Sequence, residues 1–316
     1  MKLSKDFKEI KGDASLRKFY RNTKKNSIII FANKKKNRNL LTYDAINKIL
    51  IRNKIIAPKL ISENYNKNYI EVQDLGNKTI YQTFVSNNLE NYFVFKKVIK
   101  VLNKMQLIKD KKVKNFRKNY YKIKEYENKI LLDEVRLFSN WYVPKKLTKN
   151  KINVFNYKFI KEVKLLLSKL KLKNDTFVHR DFHVSNLIIN SKNQIGLIDN
   201  QDALIGNKAY DLASLIDDVR YKTSNTLKDK IYKYYLTTNK KIEVNKFKND
   251  FDILSVLRNL KIIGIFMRLA ERDKKKKYLK LIPYAWNIID NRMSKNNVFD
   301  NLKLLLISNF SKFIIK

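Results

Sequence analysis

Hydrophobic and polar positions along this chain change period several times, and each change marks an element. Residues 16–22 (LRKFYRN) alternate, which sets Arg17, Phe19 and Arg21 on one face of a strand. The polar turn NTKKN leads into SIIIFA (27–32), a β-branched run of the buried-strand type. Residues 42–55 carry Ala45, Ile46, Ile49 and Leu50 at helical spacing, with Thr42 as N-cap, and Ala57-Pro58 ends that helix. Residues 59–63 and 69–74 read as two further strands around the polar turn NYNKN. The pattern then turns mainly helical from Thr79 to about Leu170, with a polar break near 145–155. A short β-rich stretch covers 176–199, and helical spacing returns from Asp211 onward. There is no internal repeat and no linker rich in Gly, Ser or Pro. The expectation is an α+β chain with a small strand-rich unit at 1–75 and a larger, mainly helical unit at 76–316, packed closely together.

Composition narrows the partners. A chain of 316 residues suits one domain of two lobes, or two small domains. Hydrophobic residues make up 44% and aromatics 12%, enough for a packed core and too many for general disorder. The net charge of +40 invites a nucleic-acid reading. Against it, the cations are scattered rather than gathered in a stripe. Lys, Asn, Ile and Tyr are abundant together while Gly, Pro, Ala and Trp are scarce, the skew an AT-rich coding sequence produces. Nucleic acid is therefore not the expected partner, although a basic surface favours anionic ligands such as nucleotides. The absence of Cys excludes disulfides and thiolate chemistry, and two His argue against zinc. The N-terminal stretch has no signal-like apolar run, and no stretch approaches the roughly 18 apolar residues of a membrane span. A cytoplasmic protein without a membrane partner is expected.

The chemistry concentrates in Phe177–Asn190, which fits H-R-D-x-x-x-x-N at His179, Arg180, Asp181 and Asn186. A strand-like run, Gln194–Ile198, then ends in Asp199, 13 residues beyond Asn186. Phosphoryl transfer asks a protein for a carboxylate to orient and deprotonate the attacking hydroxyl, and for oxygen ligands to Mg²⁺. Asp181 suits the first role. Asn186 offers an amide oxygen and Asp199 a carboxylate for the second. Scarcity sharpens the signal: both His of the chain, His179 and His183, lie in this loop. Four of the five Gly, at 12, 76, 196 and 206, fall where such a fold needs a tight turn.

From His179 to Arg220 the chain resembles the aminoglycoside phosphotransferase family of kinase-like enzymes, including IDNQDALIGNKAYDLASLIDDVR with its metal acid, acidic turn, Gly and Tyr-Asp-Leu-Ala. Gly12–Arg21, Glu71–Gly76, Leu132–Tyr142 and Arg258–Leu269 are similar to one branch of it, the bacterial kinases that phosphorylate N-acetylmuramate and N-acetylglucosamine at the anomeric hydroxyl in peptidoglycan recycling. The resemblance implies a bilobal protein-kinase-like fold, a small antiparallel-sheet N-lobe and a larger helical C-lobe, with ATP and Mg²⁺ as cofactors and a small-molecule acceptor. It implies nucleotide contacts from Asp13, Ala14, Ser15 and Arg21, and from Val72, Gln73, Asp74 and Leu75 of the lobe connector. It makes Asp181 catalytic and Asn186 and Asp199 metal ligands. His183, Glu134, Trp141, Arg220, Arg258 and Asn259 become candidate acceptor contacts, and Asp211 a brace for the loop. Oligomeric state is not addressed.

The sequence departs from the kinase pattern in four places. Phe31 falls near the usual third-strand Lys, leaving Arg17, Arg21 and Lys34 as candidate phosphate cations. The partner Glu of that Lys is not visible on the next helix. The phosphate loop carries Gly12 instead of three Gly, and Asn200 stands where an aromatic residue often follows the metal Asp. Three further readings stay open: the same fold acting on an aminoglycoside, choline-like or other sugar acceptor, a catalytically inactive relative, and a basic nucleic-acid binder.

Overall fold

The structure is a computed structural model that describes residues 6–10, 17–32, 38–87 and 92–314. Contacts divide the chain into two units, one of Met1–Lys124 with Phe177–Ile205, the other of Glu125–Thr176 with Gly206–Lys316.

The first unit is built on a five-stranded antiparallel sheet in the order β1-β2-β3-β5-β4, from β1 (Phe7–Ile10), β2 (Lys18–Asn22), β3 (Ser27–Phe31), β4 (Leu60–Asn64) and β5 (Tyr69–Gln73). Register follows from the alternation read in the sequence. Phe19 pairs with Ile30, and Ile30 with Ile70, so Phe19, Ile28, Ile30, Ile70 and Val72 share one face. Helix α1 (Arg38–Arg52) covers that face: Leu40 and Tyr43 join Ile30, Ala32, Ile70 and Val72 in one cluster. Ala45, Ile46, Ile49 and Leu50 are fully buried, as their spacing predicted. Each large apolar side chain removed from water there contributes about 1.5–3 kcal/mol. Helices α2 (Ile80–Asn87) and α3 (Tyr92–Gln106) follow, then the hairpin β6 (Lys112–Lys114) and β7 (Tyr120–Lys122). The β-rich stretch expected at 176–199 resolves into β8 (Asn174–Val178), β9 (Leu187–Ile189) and β10 (Ile195–Leu197), with β11 (Leu204–Asn207) after it.

The second unit is helical: α4 (Asn128–Leu137), α5 (Lys149–Ser168), α6 (Tyr210–Ile216), α7 (Asn225–Thr237), α8 (Val244–Glu271), α9 (Ile282–Met293) and α10 (Asp300–Ile314). The polar break near 145–155 is narrower than expected, because α5 already starts at Lys149. Phe138–Tyr142 form a π turn at the end of α4, which packs Phe138 and Tyr142 among Phe155, Phe159, Trp286 and Phe310. Burial pushes the Tyr142 hydroxyl up to about 12, and it accepts a hydrogen bond from Trp286 Nε1 at 3.1 Å. Helix α8 is buried on almost every face, as a helix through the middle of a core must be. Gly264 lets it pass: a Cβ there would lie 2.2 Å from the Leu137 carbonyl carbon. Among the described residues, no helix is long and apolar enough to cross a membrane.

Candidate active site

The loop after β8 is fastened mostly by its own backbone. The Asp181 carbonyl accepts hydrogen bonds from His183 N–H at 3.1 Å and Asn186 Nδ2 at 3.0 Å, and Asn186 N–H donates to His183 O at 2.9 Å. A short 3₁₀ turn, Val184–Asn186, then feeds β9, which pairs with β10 through Ile195–Ile189 and Leu197–Leu187. Ile198 N–H donates to Asn186 O at 3.1 Å, which ties the Asn186 backbone to the residue before Asp199. Two non-glycine residues here have left-handed backbones, Arg180 (φ 73°) just before Asp181, and Asp199 (φ 64°). Such conformations cost roughly 1–2 kcal/mol at a residue with a Cβ and persist where surrounding contacts impose them.

The donor set fits a hard divalent cation. Asn186 spends its amide nitrogen on Asp181 O, so its Oδ1 is the atom offered outward. Together with the Asp199 carboxylate this offers two oxygen donors of the kind a hard divalent cation such as Mg²⁺ prefers. Among the described residues there is no group of three or more His, Cys, Asp or Glu that could hold a metal.

His179 has a structural job. It is 1% exposed, and its Nε2 lies 3.2 Å from Ile198 O and 2.8 Å from Asn200 Oδ1. Asn200 uses Nδ2 to donate to Asn47 Oδ1 (2.8 Å) and Leu197 O (3.2 Å), so its Oδ1 must accept and His179 Nε2 must carry the proton. Asn47, on α1, donates to Pro58 O at 3.0 Å. The resulting buried relay runs from Pro58 through α1 to Asn200, next to Asp199, and to His179 in the loop after β8. Asn200, standing where an aromatic residue often follows the acid, is fixed by hydrogen bonds to His179, Asn47 and Leu197. The sequence signal for Asn47 was available: it is a polar residue amid the apolar positions of the Ala45–Leu50 turn.

The cations sort by strand face. Phe31 packs on Tyr20 and Tyr69 (ring centroids 6.0 and 5.1 Å), on the sheet face opposite Ile28, Ile30 and Val72. The third-strand positions turned toward α1 are thus Ile30 and Ala32, not Phe31. Arg17, one residue before β2, pairs with Asp199 through Nη2–Oδ1 at 2.6 Å and lies over the Phe19 ring. Arg21 pairs with Asp74 through Nε and donates from Nη2 to Gly76 O at 2.9 Å. Lys34, Gly12 and the phosphate-loop candidates Asp13, Ala14 and Ser15 lie outside the described residues.

In the connector, Val72, Asp74 and Leu75 are buried and Gln73 is exposed. Gln73 N–H donates to Lys59 O at 2.8 Å and Asp74 N–H to Asn26 O at 3.1 Å. A cleft of about 920 Å³ runs along Gln73–Gly76 and the Asn190–Gln194 turn, but none of Asp181, Asn186 or Asp199 lines it. It is therefore a groove beside the connector and not the seat of the chemistry.

Asp181, Asn186, Asp199, Arg21, His183 and Val72–Leu75 all fall in the first unit, and His183 is buried. The other acceptor candidates belong to the second unit. Glu134 accepts from Tyr126 Oη and pairs with Lys261 Nζ at 2.9 Å. Arg258 and Asn259 are buried in α8, where Asn259 Nδ2 donates to Ser255 O at 2.9 Å. Arg220 lies 5.9 Å over the Phe266 ring and 3.6 Å from Asp218 Oδ1, and Trp141 is half-buried on the π turn.

Known proteins give this arrangement a setting. The chain is 28% identical over 242 residues to an N-acetylmuramate/N-acetylglucosamine kinase of Neisseria meningitidis serogroup B, covering 74% of this chain and 69% of that protein. It is 26% identical over 282 residues to the Pseudomonas putida protein of the same name, covering 86% of this chain and 78% of the relative. The fold is similar to that of the choline kinase LicA from Streptococcus pneumoniae (TM-score 0.64, 12% identity, 90% of this chain and 93% of that one), which has also been solved with AMP. The family described as phosphotransferase enzymes matches residues 6–242, more than half of the chain. On that match, and with Asp181, Asn186 and Asp199 set on one loop and hairpin, the chain belongs to the phosphotransferase enzyme family.

Proposed function

We propose that this chain is an ATP- and Mg²⁺-dependent cytoplasmic kinase that phosphorylates the anomeric hydroxyl of N-acetylmuramate or N-acetylglucosamine, as peptidoglycan recycling requires. The observation that carries the reading is the backbone-fastened loop that holds Asp181 beside Asn186, with Asp199 tied to it through the Ile198–Asn186 hydrogen bond. Two curated relatives named for these sugars support the acceptor.

In this reading residues 1–75 bind the nucleotide and 76–316 supply catalysis and acceptor binding. With Gln73 and Asp74 amides satisfied inside the protein, Leu75 N–H, which takes no hydrogen bond among the described residues, is the connector donor for the adenine. Asp13, Ala14 and Ser15 are the phosphate-loop residues of this reading. Asn186 Oδ1 and the Asp199 carboxylate hold Mg²⁺, which when bound neutralises phosphate charge. Asp181 accepts the proton of the sugar hydroxyl as its oxygen attacks the γ-phosphorus and ADP leaves. His183, Glu134, Trp141, Arg220, Arg258 and Asn259 remain the acceptor contacts of this reading. A Trp face suits sugar C–H surfaces, and an Arg suits a lactyl carboxylate.

The test is ADP release with Mg²⁺ across N-acetylmuramate, N-acetylglucosamine, other hexoses, kanamycin and choline. Turnover with the first two supports the assignment. Turnover confined to another acceptor replaces the sugar and keeps the mechanism. No turnover, together with no nucleotide binding, would identify an inactive relative.

A further inference from the structure

Kinases of this fold hold the nucleotide's phosphates with a lysine on the third strand, and the positions that face α1 in β3 and just after it are apolar here: Ile28, Ile30 and Ala32. A triphosphate carries several negative charges, so some other cation must meet them. The sheet register shows where to look. Lys18 is opposite Phe31 and shares its outward face. Arg17, one residue earlier, alternates to the inward face with Phe19 and Arg21, and by continuation of the ladder it comes beside Ala32. Its guanidinium lies 5.7 Å from the Phe19 ring centroid, as same-face neighbours two residues apart should. The side chain is 12% exposed, and Nη2 reaches Asp199 Oδ1 at 2.6 Å. Arg21 shares this face but is committed to Asp74 and the Gly76 carbonyl, and so braces the connector.

We propose that Arg17 is the phosphate-binding cation of this chain, and that it changes partner on nucleotide binding. Without nucleotide it neutralises Asp199. With Mg²⁺ and nucleotide present, Asp199 turns its oxygens to the metal and the guanidinium to a phosphate. Arginine suits the exchange better than lysine. Its planar fork matches carboxylate and phosphate oxygens alike, its charge does not depend on pH, and the Phe19 ring supports one face of it. The same pairing keeps a lone carboxylate from facing an empty phosphate site. The proposal rests on the nucleotide-binding reading above.

Calorimetric titration of adenosine, ADP and ATP, with Mg²⁺, into the full-length chain and into Arg17→Gln and Arg17→Lys separates the possibilities. A lost charge-assisted contact to phosphate predicts that Arg17→Gln weakens ADP and ATP by about tenfold to a hundredfold. Adenosine, which has no phosphate, should bind all three proteins alike. Arg17→Lys should recover part of the loss. Adenosine is also the folding control, because a misfolded variant would lose it too. In that event Arg17→Met, which removes the charge and keeps an apolar stem, decides: ADP weakened with adenosine retained upholds the proposal, and ADP bound as tightly as by the unaltered chain overturns it. Equal ADP affinity in Arg17→Gln and the unaltered protein would overturn the phosphate role while leaving the nucleotide reading intact. If the unaltered protein bound neither adenosine nor ADP, the nucleotide reading and this proposal would fall together.

Discussion

Asp181 and Asp217 are both acids in this protein, and their surroundings give them opposite tasks. Asp181 is half-buried, with its backbone carbonyl serving the loop. Asp181→Asn keeps that carbonyl and the side-chain volume but removes the proton acceptor of the proposed mechanism. Turnover should fall about 10²- to 10⁴-fold, with the melting temperature nearly unchanged. A variant at wild-type turnover would remove Asp181 from the mechanism. Asp217 is buried in the helical unit against Arg292 (2.8 Å), Lys228 (3.0 Å) and Ser255 Oγ (2.6 Å). Burial alone would raise its carboxyl, but Arg292 and Lys228 outweigh burial and hold it well below the ordinary carboxylate range. A depressed folded value means that the stabilisation is complete above the unfolded value of about 3.9 and drains away as pH falls below it. Asp217→Asn should lose about 3–5 kcal/mol at neutral pH, because two cations are left without their partner. It should also flatten the acid limb of a melting-temperature profile below about pH 4. A variant with an unchanged acid limb would show that other carboxylates govern acid unfolding.

At the scale of elements, Gly264 is the most exacting position. Helix propensity alone favours Ala over Gly by about 0.8–1 kcal/mol. Here, however, a methyl would fall 2.2–2.4 Å from backbone atoms of Leu137 and Phe138. Overpacking against backbone, which has no rotamer to yield, costs about 1–3 kcal/mol or more. Gly264→Ala should therefore lower the urea midpoint, with a net loss above about 1 kcal/mol despite the better helix former. A rise in the midpoint would show that α8 and the end of α4 can separate cheaply. Two other glycines near the site differ from expectation: Gly196 lies inside β10 and Gly206 inside β11, not at the tight turns the sequence suggested. Gly196 brings β10 under Leu75 and Ile56, and Gly76 has φ 137° just after the connector. The Gly76 turn was legible in the sequence, because a glycine between two patterned runs has few other uses. Gly264 was not, since inside a helical pattern it looks like a weak spot until its neighbour is known.

Over the whole molecule the charge matters more than any one pair. At +40 the folded chain repels itself. Raising salt from about 0.01 to 0.15 M shortens the Debye length from about 30 Å to 8 Å. The melting temperature should rise across that range as repulsion is screened, even though exposed pairs such as Lys145–Glu271 weaken. A melting temperature that fell with salt would mean that attractive pairs outweigh the repulsion.

Some of this protein could be read from residue order alone. Strands β2 to β5, the face of α1 that is buried and the loop from His179 to Asp199 follow from patterns whose partners lie within a few residues or one turn, so local spacing carries them, whereas β1 (Phe7–Ile10) was not foreseen. The α+β class and the phosphotransferase family follow from the same segments. What the order of residues left open depends on partners far along the chain. Arg17 meets Asp199 across 182 positions, and Asn200 meets Asn47 across 153. Which of Arg17, Arg21 and Lys34 could stand in for the strand lysine was undecidable by spacing. Strand register puts Arg17 and Arg21 on the inward face, the long-range pairing of Arg21 with Asp74 separates the two, and Lys34 lies outside the described residues. Periodicity tells a side chain which way to point, but only the folded backbone determines what it finds there.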